Sequence, residues 1–329
     1  VESMTVGSPY LLLKFVDQYG DLINHTYLSN EATYSFVIGK SKEENSQYNF
    51  KLSVANFGNS LSGKPEGIAM DTTFLSDKWD KLLKTTHSRS WKQKRYSDVI
   101  EIIMNEAGIT DYDIDTTRGD FDVVQPDWTN FQLIKWFAEK SIDDKSGIGG
   151  FQYGFRADGS FFFKTMDTLN SQEPIITYTL SNTPKDVSNS FAYFEIKQDY
   201  IGTLPYSGFG LDYMYFDYDK KEFVADTKKF SDIATGQLCD WSMISTEHET
   251  SERRYFGGRD IETEQVTEQK IINNVNGVQH FDITVDGNTD LMIGKVVELH
   301  VPPSEYSKTT INEKYSGFWL VKKVTHDLD

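Results

Sequence analysis

The stretch Val123–Thr165, VVQPDWTNFQLIKWFAEKSIDDKSGIGGFQYGFRADGSFFFKT, changes its periodicity half-way along. Thr129 opens a helix, and Gln132 three positions later completes a capping box, in which each side chain satisfies the other residue's backbone N–H. Phe131, Ile134, Phe137 and Ala138 then recur at helical spacing, with Leu133 and Trp136 widening the apolar face. Gly147-Ile148-Gly149-Gly150 reads as a flexible loop. Beyond it the period drops to two: Phe151, Tyr153 and Phe155 alternate, Ala157-Asp158-Gly159 turns, and Phe161 and Phe163 alternate. Asp-Gly between alternating aromatic runs predicts a hairpin. A helix feeding a hairpin predicts an α/β unit.

Two more helices precede it. Trp79, Leu82 and Leu83 have helical spacing after Ser76-Asp77. Ser97 is placed to cap the next helix, with Asp98 and Glu101 in the first turn, where the helix dipole favours acids. Val99, Ile102, Ile103 and Ala107 form its stripe, and Gly108 is the expected stop. An α/β domain over 76–170 is therefore expected, inserted into β-structure on both sides. Residues 1–75 predict a small antiparallel barrel or sandwich, from strands at Tyr10–Val16, Leu22–Leu28, Tyr34–Ile38, Tyr48–Phe57 and Ile68–Phe74. Within 171–278, strands are expected at Ile175–Leu180 and Phe191–Gln198. A Gly- and Tyr-rich run follows to Tyr218, and then long loops over 219–278 with one short helix near Lys228–Thr235. Residues 279–329 are strand again. Phe281, Ile283 and Val285 alternate, Val296–Val301 follows, and Phe318, Leu320, Lys322 and Val324 share a face opposite Trp319 and Val321.

Composition excludes several functions. The chain has 329 residues with 33 basic and 50 acidic side chains, net −17, which argues against a nucleic-acid-binding surface built on clustered Lys and Arg. The densest basic cluster, Lys92, Lys94 and Arg95, reads as a solvated edge. The single cysteine, Cys239, forms no intrachain disulfide and suits a reducing cytoplasm. The apolar run Leu11-Leu12-Leu13 is too short for a signal core or a membrane span. His25, His87, His248, His280, His300 and His326 have no zinc-site spacing, and Asp111, Asp113, Asp115 and Asp120 lack the Gly and Glu of a calcium loop. Nucleophile elbows and phosphate-binding glycine motifs are missing, and the 147–150 glycines lead into a strand rather than a helix. No catalytic, cofactor-binding or metal-binding residue is assigned, and no cofactor is expected.

Three segments resemble the baseplate hub proteins of contractile-tailed phages, related to late control protein D and to the hub half of type VI secretion spike proteins. They are the basic Ser90-Trp91-Lys92 stretch running into YSDVIEIIMNEAG (Tyr96–Gly108), the Val123–Ser141 and Gly150–Thr165 pair, and DITVDGNTDLMIGKVVELHVP (Asp282–Pro302) with SGFWLVKKVTHDLD (Ser316–Asp329). The resemblance covers about a third of the chain and departs between 200 and 278. It implies a mainly β fold with two tube-like antiparallel β-barrels, 279–329 closing the second. It also implies a non-enzymatic homotrimer that joins a sixfold tail tube to a threefold central spike. Its partners would be the tail tube protein, the spike protein and other baseplate proteins in a virion tail baseplate assembled in the host cytoplasm. DNA would pass its channel without specific binding, and no membrane is involved. The rival readings are a carbohydrate-binding adhesin that stacks sugars on Tyr206–Tyr218, and a cell-wall hydrolase.

Overall fold

The computed structural model describes residues 1–4, 7–17, 31–39, 45–59, 68–181, 189–198, 210–229, 252–256, 268–272, 279–302 and 315–327, with Ile233 and Asn312. The strand expected at Leu22–Leu28, Cys239, and His25 and His248 lie outside them. In chain order the elements are β1 (Glu2–Ser3), β2 (Tyr10–Asp17), β3 (Thr33–Gly39), β4 (Asn45–Asn59), β5 (Ile68–Ser76), α1 (Asp77–Leu83), β6 (Thr86–Lys94), α2 (Tyr96–Glu106), β7 (Tyr112–Ile114), β8 (Phe121–Thr129) and α3 (Asn130–Lys140). Then come β9 (Phe151–Phe155), β10 (Phe161–Thr165), α4 (Met166–Asn170), β11 (Thr177–Leu180), β12 (Ser190–Gln198), β13 (Gly210–Asp217), β14 (Glu222–Lys229), β15 (Glu252–Phe256), β16 (Gln279–Val285), β17 (Val296–His300), β18 (Gly317–Leu320) and β19 (Lys323–Val324). The molecule is mainly β, with curled half-barrel sheets.

The capping box at Thr129 forms as expected: Gln132 N–H donates to Thr129 Oγ1 and Thr129 N–H to Gln132 Oε1. Leu133, Ile134, Phe137 and Ala138 of α3 are buried with Val99, Ile100, Ile103 and Met104 of α2 and with Phe151, Phe155, Phe161 and Phe163 of the hairpin. Phe137 stacks on Tyr96 with ring centroids 4.6 Å apart, and Phe151 stacks on Phe163 at 4.7 Å. The α2 stripe is therefore rotated from the expected one. Ile100 and Met104 reach the core, while Ile102 and Ala107 are half-buried. Ser97 is not the cap either. Arg95 occupies that position without a side-chain bond, and Ser97 lies in the first turn. Its N–H donates to Thr117 Oγ1 at 3.0 Å, and the Thr117 N–H returns a bond to Ser97 Oγ at 3.2 Å, so a residue twenty positions later satisfies the helix start.

The hairpin carries more than the expected alternation. Phe161, Phe162 and Phe163 are all buried, because both faces of the three-stranded sheet β7-β10-β9 are covered. Phe161 and Phe163 meet the helices, whereas Phe162 lies against Gly294 and the Arg156 guanidinium.

At the N-terminal end β2-β5-β4-β3 is an antiparallel sheet of four strands, with Phe74, Tyr48, Phe50 and Leu52 buried on one face beside Leu11, Leu13, Tyr34 and Phe36. The C-terminal sheet, β16-β12-β11-β17-β18, has a different order and is mixed: β11 runs parallel to both β12 and β17. That departs from the purely antiparallel barrel expected there. Its core joins Tyr178 and Phe191 to Val297, Leu299 and Val301, with Trp319 and Val321 packed against them. The alternation expected through Val324 breaks at Val321. That residue bonds Gly294 and Lys295, and the chain re-pairs as β19 with β1.

Within 219–278, where long loops are expected, β14 runs to Lys229, residues 252–256 form β15 and 268–272 are helical. Of the helix expected near Lys228–Thr235, Lys228 and Lys229 belong to β14, Ile233 is helical, and 230–232, 234 and 235 lie outside the described residues. β6, a Ser- and Lys-rich strand without β-branched residues apart from Thr86, pairs with β8 as a two-stranded ribbon. No helix among the described residues is long and apolar enough to cross a membrane.

Phe137 is fully buried, so Phe137→Ala leaves a ring-sized cavity between α2 and the hairpin. The expected loss is about 3–5 kcal/mol by urea denaturation. A loss under about 1 kcal/mol would mean that the helix faces the hairpin differently.

Candidate assembly surfaces

The residues that chemistry would recruit are occupied by structure. The Asp111 carbonyl accepts the Phe161 N–H, Asp113 pairs with Lys164 at 2.7 Å, and Asp115 accepts the Thr165 N–H. Those three acids fasten β7 to the hairpin, and Asp120 stands exposed nearby. No group of three metal-ligating side chains converges among the described residues. His300 bonds Glu298 at 3.1 Å, and Glu298 also accepts from Thr177. The glycine loop likewise turns inward. Gly147 and Gly150 take positive φ, and the Gly149 N–H donates to Glu268 Oε2 at 3.3 Å, so the chain's own carboxylate sits where a phosphate would be sought. The buried Glu268 also pairs with Lys228 at 2.9 Å, which ties β14 to this loop.

One junction holds the two chain ends against the hairpin. The Ile293 N–H donates to Glu2 Oε2 at 3.2 Å, and the Ile293 carbonyl accepts from Arg156 Nε at 3.1 Å. Arg156 also donates to Ser160 Oγ, and its guanidinium lies 4.8 Å from the Phe162 ring centroid. The backbone N–H and C=O of one residue are thus gripped by an acid from β1 and a base from the hairpin turn. Burial raises the Glu2 carboxyl to about 7, with the Ile293 N–H pulling the other way.

Assembly surfaces are the features left over. β13 and β14 form a hairpin in register Phe216↔Phe223 and Asp217↔Glu222. Asp217 is buried and accepts the Asp219 and Lys220 N–H groups, and Lys221 takes a positive φ of 57° to close the turn. On one face of the tip Phe216 meets Tyr218 and Phe223, each pair of centroids 5.2 Å apart, with Tyr218 67% and Phe223 70% exposed. Tyr213 and Tyr215 of the expected aromatic surface are instead buried, and Tyr206 and Phe209 lie outside the described residues. Further apolar side chains stand out on edge strands: Leu12 on β2, Val37 on β3 and Phe318 on β18.

No family model and no curated protein matches the sequence. Solved structures do. The chain shares its fold with the tail protein from Neisseria meningitidis MC58. That match covers 88% of this chain and 81% of that one, at 14% identity and a TM-score of 0.53. The E. coli c3393 protein, a component of the type VI secretion system, matches over 59% of this chain and 49% of its own at 9% identity, with a TM-score of 0.36. A chain of the Francisella PdpA-VgrG complex is the third, at 11% identity over 78% of this chain and 39% of its own, with a TM-score of 0.41. Neither of the last two scores establishes a shared fold.

The junction has a pH signature. The native state keeps the Glu2 proton up to about pH 7, whereas an unfolded chain loses it near 4.5. This contribution to stability is therefore full below about pH 4.5 and is lost as pH rises through 7, up to roughly 3 kcal/mol. Glu2→Gln should gain on the wild type by about 1–3 kcal/mol between pH 5 and pH 8 in chemical denaturation. An unchanged difference would place Glu2 in water.

Proposed function

We propose that this chain is the structural, non-enzymatic hub of a contractile-tail baseplate. The observation that carries the reading is the fold shared with a tail protein along most of both chains. In this reading three copies close into a ring whose sheets present six barrels, two per copy with different strand orders. The ring would join a sixfold tail tube to a threefold central spike, with other baseplate proteins around it and a channel for DNA or effectors at its centre. Closure of a ring demands a heterologous contact repeated about an axis. Curled open sheets with exposed apolar residues on their edge strands suit such contacts, since neighbouring copies would complete the barrels. The division into 1–75, 76–170, 171–278 and 279–329 belongs to this proposal, with 171–278 contributing strands to both barrels and 279–329 closing the second. Its place would be the virion tail baseplate, after assembly in the host cytoplasm.

Electron microscopy of the purified protein viewed down its axis should give threefold rings with a central channel. Monomers at every concentration would overturn the ring. The lumen of that ring should carry more Asp and Glu than Lys and Arg, because acids repel the DNA backbone over about 8 Å at physiological salt and each basic contact would retard passage. Lysines introduced at lumen positions should therefore create salt-sensitive DNA retention. A wild-type wall that is already basic and retains DNA would defeat the conduit.

The tip, where exposed Tyr218 and Phe223 pack on half-buried Phe216, favours a second reading, a sugar-stacking adhesin. Glycan-array binding that Tyr218→Ala and Phe223→Ala abolish would support it. The hub reading expects no glycan signal.

A further inference from the structure

Six cations and no acid lie between Lys81 and Arg95, in a chain of net charge −17. Two of the six fall on α1 or just past it. Lys81 donates to the Ala107 carbonyl and Lys84 pairs with Asp80. Most of the others follow in β6. Arg89 is spent within the fold: it donates to Gln125 Oε1 and Asn130 Oδ1, pairs with Glu106 and lies over the Trp91 ring. Just past the strand, Arg95 reaches Asp144 at 3.8 Å. Lys92 and Lys94 are exposed and have no ion-pair partner among the described residues.

β6 is also an open edge. It pairs with β8 on one side, and on the other side no strand among the described residues joins it. The ribbon has two irregularities, and both leave this edge usable. At His87/Ser88 the extra residue is Asp127, which sits in β8, so β6 itself runs regularly from Thr86 to Trp91. At Trp91/Lys94 the extra residue is in β6. Gln93 takes a φ of 49° and its N–H turns back to Asp122 Oδ1, ending the regular edge beside the two free lysines. The exposed face next to that edge carries Ser88 and Ser90, small side chains that leave space for an arriving strand. Lysines at a strand end are a common guard against indiscriminate pairing, since they repel another basic strand. They admit an acidic one.

We propose that β6, along Thr86–Trp91, receives an extended acidic segment of a second copy of this chain by edge pairing, with Lys92 and Lys94 neutralising it. Charge argues for a second copy. Two chains of net −17 repel, so their contact needs a locally cationic surface, and this segment supplies one. Backbone pairing along the edge supplies affinity, and the two lysines select the partner. The proposal stands whether the assembly is the ring of the preceding reading or a dimer.

Sedimentation velocity of the full chain tests it, together with hydrogen exchange across Thr86–Lys94. The expected result is concentration-dependent self-association that Lys92→Glu/Lys94→Glu weakens at least tenfold and that Lys92→Arg/Lys94→Arg retains. Exchange at Ser88–Trp91 should slow in the associated state only. Both positions are exposed, so near-ultraviolet circular dichroism should match the wild type in each variant. Self-association left intact by the double Glu variant, or unprotected Ser88–Trp91 amides, overturns the proposal and leaves the ring reading standing. A strictly monomeric wild type overturns it too. A short DNA duplex bound in a Lys92- and Lys94-dependent manner, without self-association, would assign the edge to nucleic acid instead.

Discussion

Successive residues of a strand point to opposite faces, so the three consecutive buried phenylalanines Phe161, Phe162 and Phe163 require cover on both sides of one small sheet. Each such ring removed from water contributes about 1.5–3 kcal/mol. One cover is the helical layer, in which α2 and α3 present Ile100, Ile103, Ile134 and Phe137. The other comes from remote parts of the chain. Leu169 and the Phe162 ring flank Gly294, whose positive φ of 73° lets the backbone lie close. Much of the remaining architecture follows from filling those two sides.

The second cover brings polar backbone into an apolar place, and the junction around Ile293 answers it. Burying a carboxylate and a guanidinium is costly unless each is hydrogen-bonded. Here Glu2 and Arg156 grip the N–H and the C=O of one residue, Ile293, so N-terminal strand, hairpin turn and C-terminal segment are fixed by the same few atoms. The Ser97–Thr117 exchange does similar work at the start of α2, where a distant residue supplies what a local cap would have supplied. The Glu268 carboxylate does it a third time at the glycine loop, linking Gly149 to Lys228.

The outer parts of the molecule are less self-sufficient. Among the described residues the sheets end in edges without a further strand, the β13–β14 tip holds two aromatic rings in solvent, and β6 offers backbone and two lysines without internal partners. Such a surface fits the structural role proposed above.

By itself the sequence determined the local elements whose signals are chemical and short-range. The Thr129–Gln132 cap, the Asp158-Gly159 turn, the Gly108 stop and the period-two run at Phe281–Val285 each depend on neighbours within a few residues. The mainly β character was legible for the same reason, in aromatic and β-branched strands. What tertiary structure decided lay in partners far along the chain. Nothing in THSRSWKQK marks a strand until β8 pairs with it. Phe162 is buried because Gly294 arrives, Ser97 is diverted from capping by Thr117, and EFVADTKK becomes a strand through β13. The mixed order of the C-terminal sheet has the same origin, because β11 runs parallel both to nearby β12 and to β17, over a hundred residues away, a choice that local propensity does not encode.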